Sequence, residues 1–210
     1  MRNRLSGLRN RIAQLPVAEP KGLPVAKRER RPTGYGSAVA DMIPEVQRMK
    51  MSNACKAGLW PLVLSGSFGS GKTCAAACLF GRFTHLPMWY RCDDLLLQLA
   101  TGRTGTITTE YLNDLGELTT AEVPYARFVN RIAERSALFL DDLGIREPSE
   151  AMYQAFFNVL EWRKGQPLII TTNKSLGEIA ALYDDRIVDR LRVGTFVKFT
   201  GQSRRQRGQT

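Results

Sequence analysis

The residues with the clearest chemical potential form "GSFGSGKT", Gly66 to Thr73, which fits the spacing G-x-x-x-x-G-K-[ST]. The stretch follows the apolar run "PLVLS" and precedes a run suited to a helix. Gly66, Gly69 and Gly71 let the backbone bend until successive N–H groups point inward at phosphate oxygens. The helix that follows adds its positive N-terminus. Lys72 supplies a point charge for β and γ phosphates, and the Thr73 hydroxyl is a hard ligand for Mg²⁺. With Ser67, Phe68 and Ser70 completing the loop and Cys74 following it, the span Gly66 to Cys74 is the expected ATP-binding surface.

Three further groups make sense only beside that loop. "RSALFLDDLG" ends an apolar run in two adjacent carboxylates, Asp141 and Asp142. Burying one is costly, and two side by side repel each other. A bound Mg²⁺ offsets that repulsion, so Asp141 is the expected metal-side carboxylate and Asp142 the group that orients or deprotonates an attacking water. "PLIITTN" puts Asn173 at a strand end, to hydrogen-bond that water or the γ-phosphate; the plainer reading is a turn residue. In "DDRIVDRL", Arg186 and Arg190 lie four residues apart and share a helix face. Either guanidinium could stabilise charge on a transferring phosphoryl group. The alternative is a local ion-pair lattice with Asp185 and Asp189.

Short β-rich runs alternate with longer helical ones, which predicts an α/β fold with a parallel sheet covered on both faces. Pro16, Pro20, Pro24 and Pro32, with Gly22 and Gly34, make residues 16–36 a linker. "AVADMIPEVQRMKMSNACKAG" reads as a helix with a tolerated proline, or as two short helices, stopped by Gly58. "PLVLSG" is the first strand, followed by the loop and a helix from Lys72 to about Arg82. "MWYR" is a second strand, and Asp93 is expected to cap a helix through about Ala100. Residues 101–120, rich in Gly and Thr without a clear period, read as a mobile loop. "AEVPYARFVNRIAERS" is mainly helical, "ALFLD" a strand, 150–164 a helix capped by Ser149, and "PLIITTN" a strand. A short helix from about Asp185 to Leu191 and the strand "TFVKFT" complete the pattern.

The chain has 210 residues and a formal net charge of +10, unevenly placed. Residues 1–33 hold nine Arg and Lys against Glu19 and Glu29, and residues 200–210 add Arg204, Arg205 and Arg207. The stretch between is neutral. A neutral body with basic ends points to a polyanionic partner, most simply DNA held through its phosphates; a solubilising tail is the bland alternative. Leu5, Leu8, Ile12 and Leu15 recur at helical spacing among arginines, which suits a docking helix and also describes transit peptides. No apolar run reaches the ~18 residues of a membrane span. Cys55, Cys74, Cys78 and Cys92 have no C-x-x-C spacing, which argues for reduced, buried thiols and a cytoplasmic setting.

Taken in order, "GSFGSGKT", "LFLDDLG", "IITTN" and "DRIVDRL" resemble the AAA+ ATPases of the DnaC/IstB group, the helicase loaders and insertion-sequence transposition helpers. The resemblance covers roughly residues 58–205 and extends to "VKFTGQSRR". It implies an AAA+ P-loop domain over 36–200, preceded by a basic arm and Pro-rich linker at 1–35 and followed by a basic tail at 201–210, with no C-terminal lid. It also implies that Asp141 and Asp142 are the Walker B pair and Asn173 is sensor 1. Arg190 would be an arginine finger acting on the next subunit, with Arg186 as runner-up. The implied activity is slow ATP hydrolysis stimulated by DNA or a partner, in a ring or helical homo-oligomer acting on a replicative helicase or a transposase. Family members usually carry a substantial helical N-terminal domain, where this sequence has about 35 basic, proline-interrupted residues. DNA-facing residues belong on pore-lining loops, and the 101–120 segment with Arg103 is one candidate. Two rival readings are a nucleotide-dependent DNA-binding scaffold with incidental hydrolysis and a small P-loop kinase, the latter disfavoured by "DRIVDRL".

Overall fold

The computed structural model describes residues 43–83, 87–102, 105–112 and 118–200. The basic arm, the linker, Arg103 and the closing basic tail lie outside those residues. The helix α1 (Glu45–Ala57) begins directly after Pro44, whose fixed φ suits a position before the first turn. It stops at Gly58 in the left-handed conformation (φ 65°), whose N–H reaches the carbonyls of Ala54 and Cys55. The strand β1 (Leu62–Gly66) then leads through the glycine loop into α2 (Lys72–Phe80), which ends two residues sooner than the sequence suggests.

Five strands form one parallel sheet in the order β2 (Met88–Arg91), β5 (Leu138–Leu143), β6 (Leu168–Thr172), β1 and β7 (Thr195–Phe199). Two separate apolar clusters prove that both faces are covered. On β1, Leu62 and Leu64 join one cluster while Val63 joins the other; on β6, Ile169 parts from Leu168 and Ile170 in the same way. That is the period-2 alternation of a pleated strand with no solvent face.

One face carries α1 and α2. The alanine run Ala75–Ala77 lets α2 approach the sheet closely, and Phe80 meets Phe139 of β5 edge-on at 5.2 Å. Trp89 of β2 stacks on the same ring at 5.3 Å. Aromatic contacts thereby fix α2 against β5 two residues before Asp141. The other face carries α3 (Cys92–Thr101), α4 (Tyr125–Glu134), α5 (Glu150–Trp162), α6 (Leu176–Leu182) and α7 (Asp185–Arg192).

Three expectations require correction. Residues 101–120 do not form a structureless loop: β3 (Thr106–Leu112) and β4 (Leu118–Pro124) pair as an antiparallel hairpin with Ile107 opposite Val123, both buried. The alternation is present in the sequence, but its members include threonines, which are polar by composition and β-forming by shape. "AEVP" accordingly ends a strand, and the helix starts only at Tyr125. Asp93 does not cap α3, whose N-cap is Arg91; Asp93 sits in the first turn, where a carboxylate complements the helix dipole. The seven-residue α6 escaped the sequence reading although Ser175 and Glu178 form a capping box.

Arg163, at the end of α5, is 1% exposed. Its guanidinium donates to the carbonyls of Ile132, Ala133, Arg135 and Pro167, tying the end of α4 to the approaches of β5 and β6. Burial pushes its pKa down to about 10, so the cation persists at neutral pH beside the negative end of the α4 dipole. Arg163→Met is expected to strand those carbonyls and cost about 3 kcal/mol, lowering Tm by roughly 6–12 °C in a thermal melt. Arg163→Lys should recover part of the loss.

Candidate active site

The C-terminal ends of β1, β5 and β6 lie side by side, with β6 in the middle, so chain segments distant in sequence meet at one edge of the sheet. At the end of β1 the backbone takes positive φ at Gly66 (149°), Gly69 (72°) and Gly71 (98°), conformations that L side chains rarely adopt. A Cβ on Gly66 would also run into the Phe199 carbonyl of β7. Lys72, 5% exposed, donates through Nζ to the carbonyls of Gly66 and Ser67, each at 2.8 Å, and contacts Ser70 Oγ at 3.5 Å. The lysine therefore curls back over its own loop. Burial lowers its pKa, while Asp142 and Asp141 pull the other way. Phe68 stands 73% exposed at the loop's tip. Cys74 and Cys78 share the helix face that packs into the α1–α2 core.

The two acids occupy a β-bulge. Leu140 pairs with Ile170 and Leu143 with Thr172, so Asp141 and Asp142 together oppose the single residue Thr171. The extra residue shifts the alternation by one. Leu138 and Leu140 face the α3–α5 cluster, and Leu143 faces it too, where an unbroken strand would turn it away. Asp142 takes φ 62°, a left-handed position that aspartate tolerates better than most side chains.

Thr171, 1% exposed, joins the pair. Its hydroxyl accepts the Asp142 N–H at 2.9 Å and donates to Asp141 Oδ1 at 2.5 Å. The Thr73 hydroxyl donates to the same Asp141 oxygen at 3.1 Å, linking the glycine loop directly to β5. Thr171 was not singled out in the sequence. The available signal was a buried threonine pair closing an otherwise apolar strand. Asp141 is itself 9% exposed, and desolvation raises its pKa; the Thr171 hydrogen bond opposes the rise, the Asp142 charge adds to it, and Thr73 and Lys72 oppose it. A buried carboxylate penalised for its charge, in contact with a hydroxyl, is a hard-oxygen donor set suited to Mg²⁺.

Asn173 follows β6 directly, between the ends of β5 and β1 and therefore at the same edge. The two arginines of α7 are placed differently. Asp184 caps that helix through the Ile187 N–H. Burial would raise its pKa, but the Tyr153 hydroxyl at 2.7 Å, the Ile187 amide and Arg186 bring it down to about 2. Arg186 pairs with Asp184 at 2.9 Å and keeps a side chain 71% exposed. Arg190 reaches across to α5, donating to Glu161 at 2.6 Å with its guanidinium 4.0 Å over the Phe157 ring. Both thus find partners other than the Asp185 and Asp189 of the lattice reading, and Asp189 pairs with Arg192 at 3.7 Å. The Arg190 contacts hold α7 to α5 and aim that side chain along its own protomer.

Among solved structures the chain is similar to the DnaC helicase loader, with 19% identity and a TM-score of 0.58 over 79% of this chain and 98% of that one. It is similar to a DNA replication initiation factor (18% identity, TM-score 0.56, 75% of this chain and 47% of that one). It is also similar to the replication initiator DnaA bound to AMPPCP and single-stranded DNA (17% identity, TM-score 0.58, 76% and 48%). The chain spans about half the length of these two initiators. No protein-family model and no curated protein sequence matches it. At these identities the likeness establishes the fold alone: an α/β domain whose parallel sheet is covered by helices on both faces.

Above its folded pKa, an ionised Asp141 subtracts from the stability of the ligand-free protein; the subtraction fades as pH falls toward the unfolded value of about 3.9. Asparagine keeps an oxygen for both threonine hydroxyls and removes the charge. Asp141→Asn is expected to raise the ligand-free Tm at neutral pH, with a gain that shrinks on acidification. Thermal melts across pH read both effects.

Proposed function

We propose that the chain binds and hydrolyses ATP and works, assembled on DNA, as a helicase loader or transposition helper. The observation that carries this reading is the contact of Thr73 with Asp141 beneath the glycine loop. It brings a phosphate cradle and a buried carboxylate to one point of an AAA+ sheet. The AMPPCP and single-stranded DNA of the similar DnaA structure support both ligand classes. The DnaC likeness, which spans nearly all of that chain, supports the helicase-loader form.

In this reading the amides of Gly66–Thr73 and the α2 N-terminus hold the phosphates. The Lys72 ammonium exchanges its loop carbonyls for phosphate oxygens. Thr73 and Asp141 would hold Mg²⁺, which would supply neutralising charge to the phosphates. Asp142 orients the attacking water and takes its proton, and Asn173 hydrogen-bonds the water or the γ-phosphate. Lys72→Ala should abolish ATP binding measured by calorimetry. Asp142→Asn should bind ATP and hydrolyse it about 100-fold more slowly or worse. Equal turnover in Asp142→Asn and wild type would reduce that residue to scaffolding.

Arg190 is the proposed finger to a neighbouring subunit's nucleotide, with Arg186 the more exposed alternative. Acting in trans requires Arg190 to leave Glu161 and Phe157. Arg190→Ala should retain ATP binding and lose hydrolysis. Mixing it with Lys72→Ala should restore turnover, because each variant supplies what the other lacks. Activity that no mixture restores would place the arginine's role within one protomer. Assembly and disassembly that proceed equally with ATP and AMPPCP would favour the scaffold reading instead.

A further inference from the structure

We propose that Thr172 is a positioning residue for ATP hydrolysis: its buried hydroxyl fixes where Asn173 stands relative to the acidic pair. The inference deepens the hydrolysis reading above and rests on it.

β6 closes in two threonines that face opposite ways. Thr171 follows Ile169 in the strand's alternation, on the α1–α2 face, and its hydroxyl is engaged by Asp141 and Asp142. Thr172 continues the row of Leu168 and Ile170 on the other face and is fully buried. Its hydroxyl donates to the Leu143 carbonyl at 2.8 Å and accepts the Lys174 N–H at 3.0 Å. Proton and lone pair are both committed, so the hydroxyl has one orientation.

The identity of those two partners gives the hydroxyl a role beyond burial. Leu143 directly follows Asp142, and Lys174 directly follows Asn173. One oxygen therefore joins the residue after the proposed water-orienting acid to the residue after the proposed water- or γ-phosphate-binding amide. β6 ends at Thr172, so Asn173 lies just past the ladder. The bond from the hydroxyl to the amide two residues on closes a turn with Asn173 at its centre. Register adds the level: Thr172 pairs with Leu143 on β5 and with Ser65 on β1, the residue before Gly66. Thr172 stands in the row that ends the acid bulge on one side and begins the phosphate loop on the other.

The chain leaving β5 is also packed on the chain leaving β6. Gly144 takes φ 80°, and a Cβ there would lie 3.3 Å from Lys174 Cγ and 3.1 Å from Leu182 Cδ2. The hydroxyl and this close approach together set the separation of Asn173 from Asp142. Removing the hydroxyl frees the Asn173 turn but spares the contacts of Lys72 and Thr73, which run through the loop and Asp141. The expected signature is a lowered kcat with nucleotide affinity kept.

The test uses the full chain, with ATP turnover at saturating Mg²⁺ and ATP and AMPPCP binding by calorimetry. Thr172→Val keeps the branched shape and removes the hydroxyl. Its kcat should fall roughly 10- to 100-fold, with AMPPCP affinity held within about two-fold. Thr172→Ser should restore most of the turnover. Asn173→Ala should be slow by itself, and adding Thr172→Val to it should cost no further turnover, because the hydroxyl acts through that side chain. Losses that multiply in the double variant, or an affinity that falls in step with kcat, assign Thr172 to the general fold and overturn the role. Unchanged kcat in Thr172→Val or in Asn173→Ala overturns it too. Should Thr172→Val fail to fold, Thr172→Cys, whose thiol is a weak donor and acceptor, takes the same comparison. Wild-type protein that binds AMPPCP yet turns over no ATP, alone or with DNA, sinks the hydrolysis reading and this role with it.

Discussion

The candidate site depends on one hydroxyl. Thr171 accepts from the backbone of one aspartate and donates to the side chain of the other, so a single buried oxygen holds both members of an acidic pair. A strictly alternating strand would drive one of the two acids toward the α3–α5 cluster, where an unpaired carboxylate is untenable. The bulge avoids this by setting both opposite one partner, and Thr171 gives the unpaired amide of the bulge an acceptor. Stored strain at Asp142 is over-determined by hydrogen bonds on either side, the condition under which such positions persist.

Packing carries that local arrangement to the phosphate loop. Phe139 lies on β5 two positions before Asp141 and is clasped by Phe80 of α2 and Trp89 of β2. The first residues of α2 are Lys72 and Thr73, so the aromatic cluster sets the spacing between the lysine, the threonine hydroxyl and the carboxylate. At the opposite edge, Arg163 closes the approaches to β5 and β6 with four carbonyl contacts. The strands that present the acids are thus secured at both ends, by apolar contact near the site and by a buried cation away from it.

What was legible in the sequence followed from local demands. The glycines of the loop have positive φ, and a backbone requirement of that kind leaves a residue-type trace at fixed spacing. Asp141 was legible because an acid directly after four apolar residues is too costly to bury without a partner for its charge. Thr171 was not, because its role exists only once β5 and β6 are in register, a relation across thirty residues. The bulge was hidden for the same reason. The hairpin of β3 and β4 was obscured by threonines, and the partners of Arg190 by the distance between α7 and α5. Local geometry marks the chain, whereas geometry made by pairing does not.

Gly66 carries a consequence for the order of assembly. Its backbone is seated against the Phe199 carbonyl, and β1 lies between β6 and β7, both of which come more than a hundred residues later. The phosphate loop is encoded early but is flanked by strands made late. A nascent chain carrying "GSFGSGKT" without β7 has the motif and lacks the wall against which its first glycine rests. Loop closure over such separations is slow relative to helix formation. The loop's geometry is therefore completed only when the last strand of the sheet is in place.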